Sequence, residues 1–411
     1  MKINRKISPD LKVKPNFITK KRLKEDEIDF DKLRSYRLDR VKSELKKNNI
    51  EACILFDPIN VRYTLDTVNM SVYNMHNLTR YCFVPVDGPV ILYEYFNCEG
   101  LSSHLNLINE IRPAITWDYF SNGDQASLQL KKWIDEIKDL SNSYFKSKKV
   151  AIDVINGPAV LALNNAGIDV VDAKLILEQA RVIKSAEELK CMKAAIEVAE
   201  IGVVKMRNEL KAGMTEDELW SILHKTNIEH GGEWIECRIL SSGERTNPWM
   251  QESSNKVIQS GEIVSFDTDM VGPYGYCADI SRTFVEGNKF SEDQKKLYNM
   301  AVNQINHNYR IIKPGLSFKE FTEKSWILPE EYYGNRYSVM LHGIGMCDEW
   351  PAIRYPTDGG QRNGYFEKNM TITLESYIGK VGGKEGVKLE QQYLVGENGL
   401  ELMSHHPLED I

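Results

Sequence analysis

Three aspartates, Asp267, Asp269 and Asp279, fall inside a stretch, 263–284, that otherwise reads as apolar strand. Aspartate is depleted in strands, and an ionised carboxylate on a sheet's buried face is strongly disfavoured unless a counter-charge is supplied. Such a chain must fold so that distant groups converge on these residues. The second half offers more of the same chemistry: His342 in Leu341-His342-Gly343-Ile344-Gly345, Glu375 after Thr373-Leu374, and Glu390 after Leu389. Five carboxylates and one imidazole make up a donor set for hard or borderline divalent ions such as Mn, Fe, Co or Zn, unlike that of a structural zinc site. There are more oxygens than one small ion can use. The expectation is a pair of divalent metal ions sharing carboxylates, an arrangement that is usually catalytic.

Spacing gives these residues a route to one another. Asp267 and Asp269 are two apart on an expected strand, 263–270, and so project from one face. Gly272-Pro273-Tyr274-Gly275 can turn the chain so that a returning strand, 276–284, brings Asp279 alongside. Glu375 and Glu390 lie on expected strands 370–378 and 387–395, and the glycines around His342 permit close backbone approach.

A length of 411 residues predicts two or three domains, and 42% hydrophobic with 27% charged residues describes a globular chain. A net charge of −7 leaves no electrostatic footprint for nucleic acid. The seven cysteines are scattered without a C-x-x-C pair, which predicts free thiols in a reducing cytoplasm. The first residues lack the apolar run of a secretory signal, and no run of about eighteen apolar residues suggests a membrane span.

Residues 1–30 are polar and Lys-rich and read as an arm. From 31 to 180 a helix (31–49, with Leu38, Val41 and Leu45 on one face) and strands at 52–56, 81–84, 90–93 and 150–154 indicate an α/β domain. From 185 to 411 the pattern is α+β, with a further strand at 238–240. Capping-box signatures open four helices, Ser185-x-x-Glu188, Thr215-x-x-Glu218, Ser291-x-x-Gln294 and Ser317-x-x-Glu320, and their pairing hints at an internal duplication.

The region from Ala186 to Leu402 resembles the pita-bread metallopeptidase superfamily of methionine aminopeptidases, proline-specific peptidases and creatinase. The motifs that carry the resemblance are Asp267, the Ala278-Asp279-Ile280-Ser281-Arg282-Thr283-Phe284 run, His342-Gly343-Ile344-Gly345, Thr373-Leu374-Glu375 and Glu390. The resemblance implies a C-terminal pita-bread domain, a smaller creatinase-like N-terminal domain, a dinuclear metal centre bridged by Asp279 and Glu390, and a homodimer. Three departures stand out. Asp348 occupies the place of the peptidases' second histidine, Trp249 that of their substrate-handling histidine, and Asp269 is an added carboxylate. Losing both imidazoles removes groups that steady the tetrahedral intermediate and the leaving amine.

Those departures, with Gly231-Gly232-Glu233-Trp234, Thr246-Asn247-Pro248-Trp249 and Gly345-Met346-Cys347-Asp348-Glu349, resemble the dimethylsulfoniopropionate lyase (DddP-type) branch across nearly the whole chain. This resemblance implies six metal donors, Asp348 as a base, Tyr337 beside it, and a zwitterionic sulfonium substrate split into dimethyl sulfide and acrylate. Trp249, Trp234, Trp350 and Tyr337 are the aromatic candidates for the sulfonium. Desolvation is expected to make Asp348 more basic. The alternatives are a metal-dependent Xaa-Pro peptidase and a non-catalytic pita-bread binding protein.

Overall fold

Ser185, Thr215, Ser291 and Ser317 each accept from the backbone N–H three residues on, while Glu188, Glu218, Gln294 and Glu320 reach back to the cap. They open the helices Ala186–Glu209, Glu216–Glu229, Glu292–Ile311 and Phe318–Lys324. The computed structural model describes residues 20–358 and 363–409, so residues 1–19 of the expected arm lie outside the described residues. The rest of that arm does not stand alone. Lys21–Ile28 groups with the C-terminal unit from Val182 onward, and Asp29–Arg181 forms the other unit. The Tyr274 hydroxyl donates to Leu23 O at 2.7 Å and Lys190 Nζ to Glu27 O at 2.8 Å, which fastens the segment.

The N-terminal unit is a six-stranded mixed sheet in the order Glu110–Pro113, Ile91–Glu94, Tyr81–Pro85, Ala52–Leu55, Lys149–Ile152, Asp169–Asp172. The two edge strands escaped the sequence reading because they are short and only partly buried, so neither periodicity nor apolar content marks them. Phe56, Tyr81, Trp117 and Trp133 fill the core behind the sheet.

The C-terminal unit is antiparallel. One sheet runs Asp348–Ile353, Leu341–Ile344, Thr371–Gly379, Gly386–Val395, Leu400–Leu402. A second holds Ser281–Val285, Ile263–Asp267 and Leu240–Ser242, and a third Cys277–Ala278, Met270–Val271 and Trp234–Ile235. The Glu292–Ile311 helix lays Tyr298, Ala301 and Ile305 over the core cluster of Ile372, Leu374, Ile378, Val387 and Leu389. In register, Glu375 stands directly opposite Glu390, and Asp267 opposite Ser281.

The sequence reading is corrected at one place that shapes the site. The expected strand 263–270 is not continuous: it ends at Asp267, resumes at Met270, and turns through Asp269 at φ 35°. The returning strand breaks in the same way, across Asp279 and Ile280. The two halves of each run belong to different sheets, so both chains must turn a corner between them. Thr268 ties the corners together, donating from Oγ1 to Ala278 O (2.8 Å) and accepting from Ile280 N (3.0 Å). Asp267 and Asp269 therefore approach one another through a bend, not through strand alternation.

Candidate metal centre

All six expected donors come together. Ligand-type atoms of Asp279, His342, Glu375 and Glu390 lie within 4.8 Å of one another, as do those of Asp267, Asp269 and Asp279. Asp279 belongs to both groups. Cross-strand pairing places Glu375 beside Glu390, and the Leu341–Ile344 strand brings His342 against the same face of the sheet. The glycines around His342 have a steric reason. A Cβ on Gly343 would strike the Trp350 backbone, and one on Gly345 would strike the Glu349 carboxylate. That carboxylate is folded into the hairpin, accepting from Met346 N at 3.1 Å and from the buried Lys184 ammonium at 2.7 Å.

The His342 ring is oriented from behind. Nδ1 lies 2.9 Å from Gly343 O, which fits a proton on that nitrogen and leaves Nε2 as a donor lone pair. Nε2 faces Glu375 Oε1 at 3.2 Å, Asp279 Oδ2 at 3.4 Å and Glu390 Oε1 at 3.7 Å.

Lys388 is a central residue that the sequence reading missed. Its buried ammonium lies 2.6 Å from Glu375, 2.8 Å from Asp267 and 3.2 Å from Glu390. Ser281 joins them, 2.7 Å from Asp267, 2.8 Å from Glu390 and 2.6 Å from Lys388 Nζ. Its signal was available: Lys388 stands two before Glu390 on one strand and so shares its face. Cys237, also missed, sets its Sγ 2.8 Å from Asp269 Oδ2.

The electrostatics of the cluster call for more cation. Burial, and then the charge of neighbouring carboxylates, pushes the carboxyls of Asp267, Asp269, Asp279 and Glu390 upward. Burial opposes charge on Lys388, yet Asp267, Glu375 and Glu390 outweigh it and raise its pKa. Burial is likewise outweighed at His342, by Asp348 and then by its bonds to Asp279 and Glu375. Asp279 Oδ1 and Glu390 Oε1 are buried without a hydrogen-bond partner among the described residues. One ammonium cannot balance five carboxylates, whereas one ammonium with two divalent ions does. The residues present therefore fit a two-ion centre.

The remaining candidates divide. Trp249 (7% exposed) and Tyr337 both border the cluster, with ring centroids 5.8 Å and 4.8 Å from Lys388 Nζ. Asp348 Oδ1 lies 3.5 Å from His342 Nδ1, the ring nitrogen opposite the one that faces Glu375, Asp279 and Glu390. Its side chain is 62% exposed, so the desolvation expected of it is not provided. The reason is its place at the first residue of a hairpin strand, with the burial falling on Glu349 next to it. Trp350 packs edge-on to Phe318 at 5.8 Å, against the hydrophobic core. Trp234 is half-buried on a two-residue strand paired to Val271.

A model of metallopeptidase family M24 matches residues 190–397. The chain is 34% identical to "Dimethylsulfoniopropionate lyase DddP" of Roseovarius nubinhibens over 391 residues, covering 93% of this chain and 87% of that protein. A Roseobacter denitrificans protein of the same name is also 34% identical, with the same coverage. A Pyrococcus horikoshii Xaa-Pro dipeptidase is 30% identical over 54% of this chain. Among solved structures, a Xaa-Pro dipeptidase from Bacillus anthracis shares the fold, with a TM-score of 0.74 at 21% identity and coverage of 92% of this chain and 99% of that one. Matching family model, near-full-length relatives and shared architecture agree: this chain belongs to metallopeptidase family M24, with the pita-bread fold and a creatinase-like N-terminal domain.

Proposed function

We propose that the chain is a metal-dependent carbon–sulfur lyase that splits dimethylsulfoniopropionate into dimethyl sulfide and acrylate. The observation that carries this reading is the reach of the likeness. It extends over 93% of the chain toward two proteins named as that lyase and over 54% toward a dipeptidase. The departures from the peptidase pattern support it: a carboxylate at Asp348, an indole at Trp249 and an added carboxylate at Asp269.

The substrate carries a carboxylate at one end and a dimethylsulfonium at the other. Two divalent ions held by Asp267, Asp269, Asp279, His342, Glu375 and Glu390 would supply Lewis-acid stabilisation of negative charge developing at the carboxylate end. Asp348 takes the proton from the carbon next to the carboxylate. The C–H electron pair forms the C=C bond, and the C–S pair leaves on neutral dimethyl sulfide. The His342 ring edge, with Nδ1 3.5 Å from Asp348 Oδ1, places the base beside the metal cluster. Trp249 and Tyr337 already flank one cation, the Lys388 ammonium, and offer faces to the sulfonium at about 0.5–2 kcal/mol each.

Headspace gas chromatography of purified, metal-loaded protein tests the reading. Dimethyl sulfide should evolve from wild type and fall by at least about 10²-fold in Asp348→Ala, the scale of a lost general base. Xaa-Pro hydrolysis with no gas released would instead favour the peptidase, which the shared fold and the dipeptidase relative support.

A further inference from the structure

Asp269 is the one expected donor with a left-handed backbone, φ 35°, where a residue with a Cβ persists only if its surroundings hold it. The neighbouring segment holds it at two points. Glu236 N donates to Asp269 O at 3.0 Å, and Cys237 Sγ stands 2.8 Å from Asp269 Oδ2. The Sγ–Oδ2 separation is that of a thiol donating to a carboxylate oxygen.

We propose that Cys237 is a positioning residue for the metal centre: its S–H holds Asp269 by Oδ2 and so presents the other carboxylate oxygen to the ion position shared by Asp267, Asp269 and Asp279. The proposal rests on the two-ion reading of the cluster. A carboxylate at a bend in the chain has rotational freedom that metal binding must remove, and a fixed partner on one oxygen removes it beforehand. A thiol suits the task because it is a weak donor. It orients the carboxylate while leaving most of its charge for a metal. Partners of this kind behind a ligand are worth about 10–100-fold in metal affinity. The effect is local: Cys237 bonds Asp269, which belongs with Asp267 and Asp279 and not with the group of His342, Glu375 and Glu390.

Calorimetric titration of Mn²⁺ into full-length, metal-stripped protein tests this, with stoichiometry checked by elemental analysis. Wild type should take two ions. Cys237→Ala should take the first as wild type does and the second about 10–100-fold more weakly. Cys237→Ser, which keeps a donor, should recover most of the loss. In an Asp269→Asn background, Cys237→Ala should have no further effect on Mn²⁺ binding, an outcome that a merely structural role would not give. Retention of both ions with unchanged affinity in Cys237→Ala, equal weakening of both, or an undiminished effect in the Asp269→Asn background each overturns the proposal. Wild-type protein that takes up no Mn²⁺ would overturn the two-ion reading itself, so the two failures are distinguishable.

Discussion

Lys388 and Trp249 show how much a single side chain decides here. The Lys388 ammonium is the internal counter-charge of Asp267, Glu375 and Glu390, and all four residues are buried. Removing one partner of such a cluster strands the others, at about 3–5 kcal/mol. Lys388→Met should therefore destabilise metal-free protein by roughly that amount, and metal-loaded protein by much less, because added cations take over its role. Denaturant titration with and without Mn²⁺ reads the difference, and equal losses in both states would contradict it. Trp249, facing the same ammonium, belongs under the proposed reaction to binding more than to chemistry. Trp249→Leu should raise KM for dimethylsulfoniopropionate about 2–30-fold, the range of one cation–aromatic contact. A fall in kcat alone would assign Trp249 to another task. The six expected donors could be singled out by residue type and spacing, since an oxygen-rich set declares its metal preference whatever the fold, and the structure brings them together. Cys237 could not be ranked that way, because a cysteine is an ordinary residue until its neighbours are known, and Lys388 only through its place two before Glu390 on one strand.

The hairpin that carries Asp348 depends on which glycine is replaced. Between His342 and Gly343 the pairing with the neighbouring strand shifts register, and the carbonyl of Gly343 holds His342 Nδ1 at 2.9 Å. A methyl group at Gly343 would meet the backbone of Trp350, which has nowhere to go, whereas one at Gly345 would meet the end of the Glu349 side chain. Gly343→Ala should thus cost both folding stability and metal affinity, with at least tenfold weaker Mn²⁺ binding, the scale of a misoriented ligand. Gly345→Ala should cost less in both. Calorimetry and thermal unfolding of the pair check the order, and the reverse order would show that Glu349 is the harder neighbour to move. Helix starts were legible because a capping box closes within four residues, and Ser185, Thr215, Ser291 and Ser317 all form one. Strand continuity was not legible, since Asp267 and Met270 lie in different sheets and nothing within the strand's own sequence says so.

Across the molecule, pH separates the two units. Asp153, in the N-terminal unit, is buried and its pKa is pushed up to about 6 despite bonds from Phe56 N, Val154 N and Asn60 Nδ2. A folded-state value above the unfolded one means the native carboxyl binds its proton first. The ionised form then costs stability above pH 6, and the cost is relieved as pH falls from about 6 toward 4. A difference of that size is worth about 3 kcal/mol. Asp153→Asn should lower stability overall through lost acceptors, and the gap to wild type should widen as pH falls through this window. A gap independent of pH would refute the assignment. Chelation acts on the other unit: ions at about 100 times their Kd contribute about 2.7 kcal/mol, so stripping them should lower its Tm by several degrees. No helix among the described residues is long and apolar enough to cross a membrane. The sequence by itself determined the local and the chemical: the helix caps, the alternation of elements, and a donor set that demands cations. Tertiary structure alone decided the bend at Asp269, the burial of Lys388 against a carboxylate 121 residues away, and the exposure of Asp348. Each of these depends on which distant strands share a sheet, and burial and charge balance are properties of that assembly, not of any segment within it.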